Sequence, residues 1–340
     1  MSVTVMYPSS DIPTLKLKAS PLYYIIGVRV LFFTWDDVVR FSREIRRLPQ
    51  PEIDEELRGW SWGDSVMASS ATWLLGVSDI TGNFCPNGRD VYLRYVLRIK
   101  QRDNQVLQKG RLIHEVFSKA VTLVKRIIYE SNGDIDGGKL YRLMSDVGVK
   151  LRSEVVSKYD LIGREGAMWI FDKLWDEAAR TYSAALDKAL SRSAYMALES
   201  LVAATVPLIT EFPIDGSLIG LSRALRIDAF MPPSLLVEIK SRKPDPIYEL
   251  SLVGYALAFE SHYEIPINYG ILVYVDVDPG IKRVFVRPSV IPISSKARSE
   301  FIELRDRRKE MLIYGEVPRV AEHCPVECPY IHYCRGGLDG

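Results

Sequence analysis

The feature that most constrains the fold of this chain is an apolar β-hairpin that carries three ionisable side chains. Two short apolar strands flank a proline turn at residues 232–233, which folds Asp228 back to lie opposite Glu238. Side chains two residues apart in a strand point to the same side, so Glu238 and Lys240 project together. Placing these charges at the end of an apolar hairpin costs free energy unless a cation joins the carboxylates.

Metal-dependent phosphodiester hydrolysis is the chemistry that such a set of groups suits. Asp228, Glu238 and the Ile239 carbonyl offer hard oxygen ligands for Mg²⁺ or Mn²⁺, and Lys240 can position the water that the metal activates. His114, on a predicted helix, adds an imidazole, which suits Mn²⁺ as well as Mg²⁺. Two alternatives stay open: Glu238 and Lys240 form a solvent-facing ion pair, and His114 is a structural residue of the core.

Four cysteines form a second group of candidate ligands. Cys85 precedes the first long predicted helix, and Cys324, Cys328 and Cys334 follow as C-x₃-C-x₅-C near the end of the chain. Zinc sites usually combine two close C-x₂-C pairs, whereas one cysteine plus three, with proline after three of the four, favours an iron–sulfur cluster. Zinc coordination and disulfides are the alternatives. Such a cluster would tie the segment before the helix to the end of the chain.

The hydrophobic pattern changes period along the chain, which predicts an α/β fold. Helical spacing dominates up to about residue 203, and short strands follow, so we expect a mixed central sheet flanked by helices. Residues 1–80 are predicted to be an N-terminal extension and residues 81–340 the main domain. Within that domain we expect a helical insertion at about 139–203 and a C-terminal cysteine segment at 324–334. Glu211, on the strand before Asp228, either joins the site or pairs with a basic neighbour.

Composition excludes several classes of protein. A 340-residue chain with 47% hydrophobic and 26% charged residues is ordinary for a globular protein, and 44 basic against 43 acidic residues exclude a polycation. Basic runs such as residues 305–309 are interleaved with acids. Five Asn and four Gln are few, which suggests a thermophile. The apolar stretch 21–33 contains Arg29 and is too short to cross a bilayer, so a soluble cytoplasmic protein is expected.

Together, these residues resemble the RecB-like nucleases of the PD-(D/E)xK superfamily. More narrowly, the chain is similar to the CRISPR-associated exonucleases that carry a four-cysteine iron–sulfur cluster, the Cas four family in its longer archaeal Csa-type branch. The resemblance spans residues 85–334. The motifs that carry it, in order, are Cys85-Pro86, Gly110-x-x-x-His114, Asp228, Glu238-Ile239-Lys240, a helix ending in Tyr255, and Cys324, Cys328 and Cys334.

The resemblance implies a restriction-endonuclease-like core and metal-dependent DNA cleavage, with exonuclease activity on single strands, during acquisition of new CRISPR spacers. It implies DNA and the spacer-acquisition integrase proteins as partners, and a [4Fe–4S] cluster is favoured over [2Fe–2S]. The implied metal ligands are His114, Asp228, Glu238 and the Ile239 carbonyl. The implied catalytic residues are Asp228, Glu238, Lys240 and Tyr255, and the implied cluster ligands are all four cysteines.

Two departures from the family pattern keep rival functions open. Ser251 stands where the family's Gln-x-x-x-Tyr motif has Gln, and a short hydroxyl reaches less far than an amide. The last cysteines also have one residue more than the commoner C-x₂-C-x₅-C. One rival is a catalytically weak DNA- or integrase-binding subunit of the acquisition complex. The other is the nuclease component of a repair helicase-nuclease, whose motor would be a separate chain because no G-x-x-x-x-G-K-[ST] loop is present.

Overall fold

The computed structural model of the protein describes residues 24–25, 31–70, 72–82, 84–193, 195–232, 234–315 and 317–336. Most of the first 30 residues of the expected N-terminal extension therefore lie outside the described residues, as does Pro233 of the expected hairpin turn.

A six-stranded sheet forms the centre of the fold, in the order β1-β6-β5-β4-β3-β2. β4 and β5 run parallel and the other neighbouring pairs run antiparallel, so the sheet is mixed, as predicted. The strands are β1 (Tyr24–Ile25), β2 (Ile209–Ile214), β3 (Leu225–Met231), β4 (Leu235–Lys240), β5 (Tyr269–Asp278) and β6 (Arg283–Pro292).

Ten α-helices are described along the chain. They are α1 (Trp35–Arg47), α2 (Val77–Thr81), α3 (Arg89–Tyr95), α4 (Gln105–Glu130), α5 (Gly137–Val156), α6 (Arg164–Arg192), α7 (Leu198–Thr205), α8 (Glu249–Tyr263), α9 (Ser295–Ile313) and α10 (Ile331–Arg335). Short 3₁₀ turns occur at Glu55–Leu57, Gly59–Ser61, Asp160–Ile162, Ser217–Ile219 and Pro246–Tyr248. None of the described helices is long and apolar enough to cross a membrane.

Apolar residues after Asp90 recur at helical spacing, but the structure divides this region into two helices, α3 and α4. Arg98, between them, has a left-handed backbone with φ of 53°, which no α-helix contains. Asn104 then caps α4, because its side-chain oxygen accepts a hydrogen bond from the Leu107 amide at 2.9 Å. The residues between the two helices are consequently a loop that apolar periodicity alone did not reveal.

The sheet separates two hydrophobic cores. Val237 and Ile239 of β4 point into the core shared with α1 and α4 to α7, whereas Leu236 points into the core shared with α8 and α9. Both faces of β4 are therefore covered, and Glu238, on the α8 side, is 5% exposed. Glu238 is thus buried between sheet and helix, whereas Asp228 and Lys240 are half-buried.

Helix α9 uses buried cations to hold the N-terminal part of the chain. Arg298, Arg305 and Lys309 are all buried, so the basic run 305–309 offers less charge to solvent than its composition indicates. Besides carboxylates that pair with the two arginines, backbone carbonyls satisfy these cations by hydrogen bonds. The carbonyl oxygens that they bind belong to Leu57, Met67, Ser70, Ile219, Gly220, Ile267 and Ile293.

Candidate active site

The β3–β4 hairpin brings the two predicted carboxylates side by side. Ala229 pairs with Val237, so the next position of the register places Asp228 opposite Glu238, as predicted. The Ile239 amide donates a 2.7 Å hydrogen bond to Asp228 Oδ2, which fixes that carboxylate against β4. This arrangement agrees with the expected hairpin, and it follows from local pairing because only a short turn separates the strands.

His114 reaches the same place from α4. Its Nδ1 lies 2.9 Å from Asp228 Oδ1. Burial opposes protonation of the imidazole, but the adjacent Asp228 carboxylate outweighs it and raises the pKa of His114. Gly110, one turn earlier, lets α4 approach the end of the hairpin: a Cβ there would lie 2.8 Å from Ser241 Oγ. The spacing Gly-x-x-x-His thus has a steric reason in this fold.

Glu238 and Lys240 form a buried ion pair, with Lys240 Nζ 2.6 Å from Glu238 Oε1. Burial first, and then the neighbouring Asp228 carboxylate, raise the pKa of Glu238 to about 7. Asp228 titrates the other way, because His114 overcomes the effect of burial and lowers the pKa of its carboxyl. The ion pair of the alternative interpretation therefore exists, but its side chains are largely enclosed and do not face solvent.

One oxygen of this cluster has no partner in the described part of the chain. Glu238 Oε2 is buried and accepts no hydrogen bond, so no contact offsets the free energy that its desolvation costs. A buried, unpartnered carboxylate oxygen beside a second carboxylate and an imidazole fits a divalent cation. Within the described residues, however, no three His, Cys, Asp or Glu side chains are arranged as a metal-binding set. Hydrogen bonds from His114 and Lys240 occupy some of the carboxylate lone pairs that a metal would use.

A third carboxylate, that of Glu211, lies near Asp228. Glu211 occupies the position across from Asp228, since Thr210 pairs with Ala229 and Phe212 with Ile227. Its backbone is left-handed, with φ of 52°, a conformation that costs free energy in a non-glycine residue. Burial and then Asp228 raise the pKa of Glu211, which places it within electrostatic reach of the site.

Tyr255 and Ser251 lie on α8, one turn apart. Burial, followed by the charges of Glu238 and Asp228, raises the pKa of Tyr255 well above its usual value, so the phenol stays protonated. Ser251 is buried elsewhere: its hydroxyl shares a 3.0 Å hydrogen bond with the hydroxyl of Thr81 on α2. Ser251 therefore links α8 to α2.

Two further residues lie beside the site: Tyr248, which sequence reasoning missed, and Arg242, which belongs to the basic run at residues 240–243. Lys240 Nζ lies 5.2 Å from the ring centroid of Tyr248, and the Arg242 guanidinium lies 3.9 Å from the centroid of Phe84. Arg242 follows Lys240 by two residues, so alternation could have indicated it.

The four cysteines are free thiols held by a docked C-terminal tail. Cys328 and Cys334 pack with Phe84 in one small apolar cluster. Burial raises the pKa of the Cys328 thiol to about 11, with further contributions from nearby Cys85 and Cys324. Four thiols are a donor set that fits an iron–sulfur cluster in its chemistry.

Hydrogen bonds fasten the tail to the chain around α3 and the start of α4. Asn104 Nδ2 donates to the Glu327 carbonyl at 2.8 Å, and the Arg102 amide donates to the Pro329 carbonyl at 3.2 Å. Closer to Cys85, Asn87 Nδ2 donates a hydrogen bond to the Arg319 carbonyl at 3.2 Å. Ile239, whose carbonyl is a predicted metal ligand, pairs with Val273 in the β4–β5 ladder.

Comparison with known proteins gives a consistent result. The chain matches the family described as "CRISPR-associated exonuclease Csa1" over residues 31–337. A protein of that name from Saccharolobus solfataricus is 39% identical over 306 residues, which cover 89% of this chain and 99% of the relative. A second, from Thermoproteus tenax, is 27% identical over 300 residues, covering 88% of this chain and 98% of the relative. No solved structure matches the chain.

Proposed function

This chain belongs to the Csa1 family of CRISPR-associated exonucleases, and on that premise we propose that it is a metal-dependent nuclease that removes nucleotides from single-stranded DNA. We further propose that it acts in the acquisition of new CRISPR spacers, beside the integrase proteins of that process. The names of its relatives and the motif order from Cys85 to Cys334 support this assignment.

The single observation that carries the proposed chemistry is the unpartnered Oε2 of Glu238. Asp228, Glu238 and His114 would hold Mg²⁺ or Mn²⁺, with the Ile239 carbonyl as a further ligand. The bound cation would lower the pKa of a coordinated water and offset the charge that builds up on the phosphate. A carboxylate with only a structural role would not keep a buried oxygen unpaired, because an unpaired buried oxygen destabilises the fold.

The surrounding residues supply positioning and protons. Lys240 Nζ has three N–H donors and gives one to Glu238 Oε1, so two remain for a water or a phosphate oxygen. Burial of Tyr255 keeps its phenol protonated, so it can donate to a phosphate oxygen and orient the strand. His114 holds Asp228 Oδ1 in place, and the Ile239 amide holds Oδ2.

We also propose that Cys85, Cys324, Cys328 and Cys334 bind an iron–sulfur cluster, with four irons favoured over two. The cluster would cross-link the chain ahead of α4 to the C-terminal tail. Its expected role is structural, since the thiols pack beside the apolar cluster around Phe84 and outside the carboxylate site.

The experiment that tests this function compares degradation of end-labelled single-stranded DNA with Mn²⁺, Mg²⁺ or EDTA. Glu238→Gln removes the carboxylate charge at nearly constant volume and should lower the cleavage rate by at least about 100-fold. Glu303→Gln is the matched control, because it makes the same chemical change in an exposed surface pair with Arg307. Equal rates for both variants would refute the site. Absence of cleavage by iron- and metal-replete wild type would favour the binding-subunit function.

A further inference from the structure

A cavity of about 340 Å³ lies beside the cysteine segment, outside the carboxylate site. It opens between the loop that follows α3 and the docked C-terminal tail. Its walls are formed by Arg94, Arg98, Ile99, Lys100, Gln101 and Tyr330. Three of these six side chains are cationic and none is acidic, so the lining would attract an anion.

The charge of the cavity is largely uncompensated. Arg98 and Lys100 are exposed, and neither forms an ion pair with any residue that the structure describes. Arg94 does pair with Asp79, at 2.6 Å, but about half of its side chain is exposed. Arg98 also has a left-handed backbone conformation, which sets the direction of the loop at a cost in free energy.

Tyr330 supplies an independent observation that points to a ligand. Although it lines the cavity, Tyr330 is only 4% exposed, and its ring packs with Leu93 and Cys328. Its hydroxyl is buried and has no hydrogen-bond partner in the described chain. A buried O–H donor without an acceptor lowers stability unless something completes it, and a phosphate oxygen is such an acceptor.

A chain of contacts joins the cavity to the candidate active site. Lys240 and Arg242 both lie over the ring of Tyr248, at 5.2 and 5.9 Å from its centroid. Arg242 also lies 3.9 Å from the ring centroid of Phe84, which packs against the cluster that contains Tyr330. Cationic side chains thus continue from the carboxylates toward the cavity.

We propose that this cavity is a binding site for a phosphodiester of the DNA strand, distinct from the position where the strand is cut. Arg98 and Lys100 neutralise the phosphate, Tyr330 donates a hydrogen bond to one of its oxygens, and Arg94 adds positive charge. The site holds the strand in register while the adjacent part lies at Glu238. This inference rests on the proposed nuclease function for the identity of its ligand.

The test measures binding of a labelled single-stranded oligonucleotide to the full chain, without divalent metal so that the strand stays intact. For Arg98→Ala/Lys100→Ala, loss of two phosphate contacts should make the slope of log K against log salt shallower by about 1.4, roughly 0.7 per contact. Over the decade between 1 and 0.1 M salt, that change amounts to about 25-fold weaker binding at 0.1 M.

Two further variants sharpen the result. Tyr330→Phe should weaken binding by roughly tenfold with an unchanged salt slope, because it removes a hydrogen bond and no charge. Arg40→Ala/Arg43→Ala, on α1, removes the same charge from exposed positions elsewhere and should leave the slope nearly unchanged.

The outcomes separate this proposal from that of the nuclease. If the Arg98/Lys100 variant binds like the Arg40/Arg43 control, the cavity proposal is wrong even when wild type cleaves DNA. If the variant loses binding and wild type cleaves nothing, the cavity proposal holds and the nuclease proposal fails. Calorimetry with inorganic phosphate distinguishes the source: a phosphate isotherm lost in the variant, with DNA binding unchanged, would assign the cavity to free phosphate and overturn the proposal.

Discussion

Glu260→Gln is expected to destabilise the fold by about 4 kcal/mol, because Glu260 holds three parts of the chain together. Its carboxylate is fully buried near the end of α8. It accepts hydrogen bonds from Arg298 at 2.6 and 2.8 Å, from the amides of Gly59 and Ile267 at 2.9 Å each, and from Arg58 at 3.0 Å.

The magnitude follows from these contacts. Oε1 accepts from three donors and Oε2 from two, so the amide NH₂ of Gln leaves at least two donors facing another donor. Arg298, which is fully buried, also loses its counter-charge. Removing one partner of a buried pair typically costs about 3–5 kcal/mol. At about 2.1 cal/mol/K per residue, a 340-residue chain has an unfolding entropy near 0.7 kcal/mol/K, so the melting temperature should fall by about 6 °C.

Guanidinium chloride unfolding of proteins with matched iron content measures the effect. The exposed control Glu303→Gln should change the free energy of unfolding by less than about 0.5 kcal/mol, since surface pairs contribute little. Adding Arg298→Met to Glu260→Gln should recover part of the loss, because it removes the unpaired cation. A Glu260→Gln midpoint equal to that of the control, with the same denaturant slope, would refute the reasoning.

Three further predictions concern packing, titration and the cysteines. Gly59→Ala should destabilise by about 1–3 kcal/mol while Gly63→Ala stays near wild type, because a Cβ on Gly59 would meet Ser261 N at 2.7 Å and one on Gly63 meets nothing within 4 Å; equal unfolding midpoints would contradict this. Burial lowers the pKa of Lys309 to about 8 from 10.5, so the unfolded chain binds more protons between these values, and wild-type stability relative to Lys309→Met should rise with pH across that window; a pH-independent difference would exclude it. Cys328→Ala should lose iron, and a variant purified with full iron content would remove Cys328 from the ligand set.

Much of the hairpin and of the sheet could be predicted from local patterns. The predicted apolar strand that carries Glu238 and Lys240 is β4, and the register that places Asp228 opposite Glu238 follows from a short turn between two apolar strands. The mixed α/β architecture was also confirmed. These features depend on neighbours in the chain, where alternation and turn residues carry the information.

Long-range partners escaped sequence reasoning. The helix pattern after Asp90 hid the loop around Arg98, because apolar spacing says nothing about a backbone angle that loop packing imposes. The basic run 305–309 is interleaved with acids in the sequence, which is typical of a solvent-exposed helix face. In the structure, Arg305 and Lys309 are buried and bind carbonyls of distant segments. A cation's need for an acceptor is visible in its residue type, whereas the acceptor that meets it is decided by the fold.

The sequence by itself determined which chemical groups are available: two carboxylates, a lysine and a histidine at motif spacing, and four thiols in a one-plus-three pattern. Only the tertiary structure decided that Glu238 is enclosed with one oxygen unpartnered, that Ser251 pairs with Thr81, and that Tyr330 lines a cationic cavity. The physical reason is that ionisation and hydrogen bonding depend on burial and on partners up to 243 residues away along the chain. Both are set when the helices pack against the two faces of the sheet.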